Sequence, residues 1–212
     1  MVGTDKNLRL AGRLLRVIER HANAHPSLGW IKESAEKNAR DFINAAAVYS
    51  TSSIARLKER KEGLIALDEL KVLLKGYIPM ISSFYPLAEI NITNITGNTP
   101  DDTLRFTERV LEVIQSQSNA ADNQLVTEFI TRVSASWEKA LKEWTEYENA
   151  DEELRNASKN LQSAKALFNT DLGIIRRTLA AVLGRTHADV RKLMISSSYT
   201  PDPEDPQTPP EP

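Results

Sequence analysis

LVTEFITRVSASWEKALKEWTEY, residues 125–147, decides the fold. Leu125, Phe129, Val133, Trp137, Leu141 and Trp144 recur at steps of three and four, which lines one face of an α-helix. The stripe continues through Leu154, Leu161, Ala164, Phe168, Leu172, Ile175, Leu179 and Val182 and stops at Gly184. A helix is therefore predicted from about Asp122 to Leu183. Its weakest point is Asn149-Ala150-Asp151-Glu152, where Asn149 with Glu152 three residues on has the form of a capping box.

The same period organises the chain upstream. Leu10, Leu14, Val17 and Ile18 predict a first helix over Lys6–Ala24, with Asp5 as its cap and His25-Pro26 as its stop, because the residue before proline avoids the helical region. Ser27 offers the next cap. Ile31, Ala35, Phe42, Ala46, Tyr49, Leu57, Leu64, Leu67, Leu70, Leu74 and Ile78 then predict a long helix that Pro79 interrupts. Within it, Ser50-Thr51-Ser52-Ser53 is a second weak point, since these side chains compete for backbone hydrogen bonds. Asp101 and Asp102 open a short helix through Leu104, Val110, Leu111 and Ile114 that ends near Ser118. Beyond Gly184, Thr186 caps a last segment, His187–Ile195.

The order is short helix, long helix, linker, short helix, long helix. The expected fold class is all-α, an elongated antiparallel helical bundle built from two short-helix/long-helix halves, about 80 Å long at 1.5 Å per residue. The alternative is a compact six-helix bundle with the long helices broken near Ser50 and Asn149. The expected domain is 1–198, with halves 1–78 and 101–195 joined by the linker 79–100, followed by a disordered tail over 199–212. Six of the last twelve residues are proline and four are acidic, too little apolar area to fold alone. An antiparallel arrangement also sets Arg56, Lys58, Arg60 and Lys61 opposite Glu146, Glu148, Asp151, Glu152 and Glu153, where they fix register.

Composition removes whole classes of function. Lys and Arg number 27 against 29 Asp and Glu, so no overall field draws the chain to nucleic acid or an anionic bilayer. Without cysteine there is no disulfide, thiolate metal site or thiol nucleophile, which fits a reducing, cytoplasmic location. Residues 1–25 thread basic side chains through the apolar ones, unlike a signal peptide, and no apolar run approaches the roughly 20 residues of a membrane span.

Chemical motifs are equally sparse. His21 and His25 are one helical turn apart, but neither Glu-x-x-His nor His-Glu-x-x-His occurs, so no metal site is predicted. The eight glycines are scattered, with no Gly-Lys-Ser/Thr, and no Gly-x-Ser-x-Gly or Ser-x-x-Lys frames a nucleophile. Neither cofactor nor catalytic residues are expected. Trp137 and Trp144 share a face with Phe129 and Leu141 and read as core. Glu59 and Glu62 break up the basic run at Arg56, so specific nucleic-acid binding is not expected either.

Two features suggest partners. In the linker, Phe84, Tyr85, Leu87, Ile90, Ile92 and Ile95 are too apolar for a solvated loop and need a groove of the bundle or a protein partner. Along the first helix, Arg9, Arg13, Arg16 and Arg20 recur opposite the leucines, as in a helix that lies on anionic lipid. The sequence thus reads as a non-enzymatic helical scaffold or adaptor acting through a protein partner or self-association. A peripheral membrane-binding bundle is the alternative, an enzyme with an unrecognised site a third. No small-molecule substrate is implied.

Overall fold

A computed structural model describes residues 2–21, 23–84, 99–116 and 123–194, of which 2–5 and 84 are described by their backbone. The fold is all-α: α1 is Val2–His21, α2 Pro26–Phe84, α3 Pro100–Gln115, α4 Gln124–Leu183 and α5 Ala188–Lys192. The linker residues Tyr85, Leu87, Ile90, Ile92 and Ile95 and the tail 199–212 lie outside the described residues.

Both expected weak points are helical. Ser50–Ser53 and Asn149–Glu152 lie inside α2 and α4. At the first, Thr51 Oγ1 donates to the Ala47 carbonyl at 3.1 Å, so the competing hydroxyl is satisfied by the preceding turn and the ladder need not open. Pro79 likewise fails to end α2, which continues to Phe84. Its ring removes one backbone donor, a cost of about 3 kcal/mol inside a helix. Burial of Ile78 and Ile81 on either side offsets that cost, since both are fully buried and each contributes roughly 1.5–3 kcal/mol.

Helix ends differ from the expected ones where proline or histidine intervenes. α1 runs past Asp5 to Val2 and ends at His21. Pro26 is the first residue of α2, a position where its missing N–H would be unpaired anyway. The cap is therefore His25, whose Nδ1 accepts from Ser27 N at 3.2 Å, rather than Ser27. At α3 Thr99 forms a capping box with Asp102, and Pro100 follows directly. Asn123 Oδ1 accepts from Leu125 N at 3.0 Å to start α4. Gly184 ends it in the left-handed region, φ 88°, which only glycine adopts without strain. α5 is capped by His187, not Thr186.

The chain forms two compact units: unit 1 is Met1–Thr51 with Arg155–Pro212, and unit 2 is Ser52–Leu154. In unit 1, Leu10, Leu14 and Val17 of α1 meet Ala35 and Phe42 of α2 and Phe168, Leu172 and Ile175 of α4, and Val190 of α5 closes the core. Phe42 and Phe168 stack with centroids 5.2 Å apart and planes 8° from parallel. In unit 2, Leu67, Leu70, Leu74 and Ile78 of α2 pack with Leu104, Val110 and Ile114 of α3 and Val126, Phe129 and Val133 of α4.

Within each unit α2 and α4 are antiparallel. In unit 1 Asn38 Nδ2 donates to Asp171 Oδ2 at 2.7 Å, and Phe42 stacks on Phe168. In unit 2 Arg56 bonds Asp151, Lys139 Nζ lies 2.7 Å from Glu69 Oε2, and Tyr77 donates to Glu128 at 3.1 Å. As the numbers rise along α2 they fall along α4. Gly63 marks the close approach, because a Cβ there would meet Trp144 Cε3 at 3.3 Å and the Glu143 carbonyl oxygen at 3.5 Å.

Candidate functional site

The stretch SIARLKERKEGLIALDELKVLLK, residues 53–75, carries apolar side chains on two sides of one helix. Ala66, Leu67, Leu70 and Leu74 point into the core of unit 2. Ile54, Leu57, Leu64, Ile65 and Val72 do not, and Val72 is 70% exposed. At about 100° per residue, Ile54, Ile65 and Val72 fall within about 20° of one another, on the side of α2 turned away from that core.

This second stripe borders a groove between α2 and α4. The groove measures about 760 Å³ and is lined by Ile65, Val72, Leu73 and Ala135, with Asp68, Glu69 and Lys139 at its polar edge. The Glu69 carboxylate, bonded to Lys139, holds that ammonium above its ordinary pKa, so Lys139 stays charged at the rim. The groove thus combines an apolar floor with a charged margin. Trp30, on the unit 1 part of α2, is 85% exposed and is a separate outward-facing aromatic.

Sequence reasoning missed this face because it looked for one stripe per helix. Once Leu67, Leu70, Leu74 and Ile78 account for the core side, Ile54, Ile65 and Val72 are left over within about 20° of one another, a signal present in the sequence, while Leu57 and Leu64, read there as part of the buried stripe, are exposed. Trp137 and Trp144 do pack against the core of unit 2, and the Trp137 indole donates to the Leu104 carbonyl at 3.0 Å. Leu141 is the exception on their face, since it is partly exposed.

The expected charge register is met at Arg56. Arg56 bonds Asp151, and its Nη2 donates to the Tyr147 hydroxyl at 3.2 Å. Asp151 and Tyr147 together hold the Arg56 guanidinium above its ordinary pKa. Lys58 pairs instead with Glu59 and Glu62 on its own helix, at 3.1 and 3.2 Å.

Of the basic residues on α1, Arg9, Arg13 and Arg16 are partly buried. The apolar face beneath them is occupied, with Leu10, Leu14, Val17 and Ile18 inside the core of unit 1. Arg20 is turned to the protein itself: its Nη1 lies 3.1 and 3.2 Å from the two carboxylate oxygens of Asp189. Among the described residues, no helix is long and apolar enough to cross a membrane. Phe84 is the last residue of α2.

Asp189 also receives His21, whose Nε2 is 2.7 Å from Oδ2. His187 completes the group, its ring edge-on to that of His21 with centroids 5.6 Å apart. Burial pushes the Asp189 carboxyl up, but the hydrogen bonds and charges of His21 and Arg20 outweigh it and hold the carboxyl below its ordinary value. His21 and His25, expected on one helical face, are separated by the end of α1 and a turn in which Ala24 N donates to the His21 carbonyl at 2.9 Å.

Comparison of the chain with protein-family models, with curated proteins and with solved structures finds no match.

Proposed function

We propose that this chain is a non-enzymatic helical scaffold or adaptor that works by docking a protein, a partner or a second copy of itself, on the outward face of α2 in unit 2. The observation that carries the reading is the second apolar stripe: Ile54, Leu57, Leu64, Ile65 and Val72 stand exposed within one continuous helix. Exposed apolar residues scattered singly need no explanation, whereas Ile65 and Val72, sharing one groove with Leu73, Asp68, Glu69 and Lys139, offer what a partner helix covers.

A photocrosslinking residue placed at Val72 in the full chain tests this, with the same residue at the exposed Lys159 as control. The expected result is one discrete adduct at position 72, of stated mass, that disappears when Ile65→Glu is added. Absence of any adduct at position 72, or an equal adduct at 159 that ignores Ile65→Glu, refutes the proposal. The adduct mass separates a self-associating chain from an adaptor.

A further inference from the structure

We infer that His21, His187 and Asp189 form a binding site in unit 1 for a divalent transition-metal ion of the zinc class. One ligand atom from each lies within 4.8 Å of the others. They come from the last residue of α1, from the cap of α5 and from its second residue, so the site depends on the tertiary fold and has no sequence motif.

The donor chemistry selects the ion. Two imidazoles and one carboxylate suit zinc, cobalt or nickel, whereas calcium and magnesium demand oxygen ligands. In a tetrahedral zinc site with bonds of about 2.0–2.2 Å the ligand atoms stand roughly 3.3 Å apart. His21 Nε2 and Asp189 Oδ2, at 2.7 Å, must open slightly to admit the ion, a rearrangement within side-chain reach. Imidazole rings 5.6 Å apart at 83° match two ligands that share one metal at a tetrahedral angle.

The surroundings favour the same reading. His187 Nδ1 accepts the Asp189 backbone N–H at 3.2 Å, a cap that ligation by either ring nitrogen gives up in exchange for the metal bond. Asp189 is 4% exposed, a carboxylate ligand sheltered from solvent. Arg20 contacts both of its oxygens, and with a metal on Oδ2 it keeps Oδ1 as the outer hydrogen bond that orients a ligating carboxylate. Three protein ligands leave a fourth position for water. The second cluster of this kind, Glu59, Glu62 and Glu143, is purely acidic and carries Lys58 on two of its members, so it has no comparable selectivity. A metal held at His21 and His187 clasps α1 to α5 and stabilises unit 1 in proportion to the logarithm of metal concentration over Kd.

The test is calorimetric titration of Zn2+ into the full chain after chelator treatment, with Co2+ absorption as the spectroscopic check. One equivalent is expected to bind, to raise the melting temperature and to give the intense visible bands of tetrahedral Co2+. His187→Asn keeps a capping oxygen for Asp189 N, and His21→Gln keeps a donor for the Asp189 carboxylate, so both preserve the metal-free contacts. Each is expected to weaken Zn2+ binding by about tenfold or more, while His25→Gln, which is not one of the three clustered ligands, binds as the parent does. Absence of saturable one-to-one binding at micromolar Zn2+, or binding that survives both His187→Asn and His21→Gln, overturns the inference. Equal loss in His25→Gln overturns it too. If His21→Gln unfolds the chain, His187→Asn decides alone, because its circular dichroism can be matched to the parent.

Discussion

Gly63 offers a direct measure of how closely α2 and α4 approach in unit 2. Replacing an interior helical glycine by alanine stabilises a helix by up to about 1 kcal/mol wherever the methyl group has room. At Gly12, Gly76 and Gly173 an added Cβ has nothing within 4 Å, so the full gain is expected there. At Gly63 the same methyl presses on Trp144 Cε3 at 3.3 Å and sits 3.5 Å from the Glu143 carbonyl oxygen. The carbonyl oxygen is in ordinary contact, so the strain comes from the indole, which packs against the core of unit 2 and must give by a few tenths of an ångström. Gly63→Ala should therefore change stability by about zero, the propensity gain cancelling the strain. Gly63→Leu has no such escape, and overpacking of this kind costs about 1–3 kcal/mol. Urea denaturation followed by tryptophan fluorescence reads this unit directly, because Trp137 and Trp144 both lie in it. Gly76→Ala is the internal standard, expected to raise the midpoint by an amount equivalent to about 0.5–1 kcal/mol. If Gly63→Ala gains as much as Gly76→Ala and Gly63→Leu is neutral, α2 and α4 do not meet at this position and the packing described for unit 2 is wrong.

Two further outcomes check other parts of the fold. Pro79→Ala restores a backbone donor inside α2 between the buried Ile78 and Ile81, and should stabilise unit 2 by about 1–3 kcal/mol; a loss of stability would mean that a helix end, not a helix interior, occupies this position. The single changes Arg56→Asp and Asp151→Arg should each lower stability, and their combination should recover up to about 1 kcal/mol, an amount a double-mutant cycle in denaturant resolves; strict additivity would mean that the pair is not formed.

Helix content was legible because each long stripe keeps the 3.6-residue period over many turns. Thr51 and Pro79 show why the breaks were not. Propensity and hydrogen-bond competition predict interruption, but a back-bonded hydroxyl and two fully buried isoleucines outweigh them, and that depends on neighbours distant in sequence. Asp101 and Asp102 signalled the start of α3 correctly, although the capping partner, Thr99, went unread. The pairing of positive Arg56 with negative Asp151 followed from antiparallel register alone. Nothing local could place His21 beside His187, since the spacing of His21 and His25 drew attention to a helical face that ends before His25. The second apolar face of α2 was readable but hidden, because one helix was assigned one buried side.

The way the chain is shared between the two units bears on how it emerges from the ribosome. Unit 2 is one uninterrupted stretch, so all of its contacts can close as soon as Leu154 is synthesised. Unit 1 is assembled from both ends of the described chain: Arg20 finds Asp189 across 169 residues, and Asn38 finds Asp171 across 133. Leu10, Leu14 and Phe42 therefore leave the ribosome first yet have no core to join until α4 is complete. At 5–20 residues per second that delay is roughly 10–30 s. During it the apolar side of α1 and of early α2 is open to chaperones and to neighbouring nascent chains. Prior closure of unit 2 shortens the loop that unit 1 must bridge and lowers its entropic cost. The topology thereby lets the stretch from Ser52 to Leu154 close before the segments that flank it.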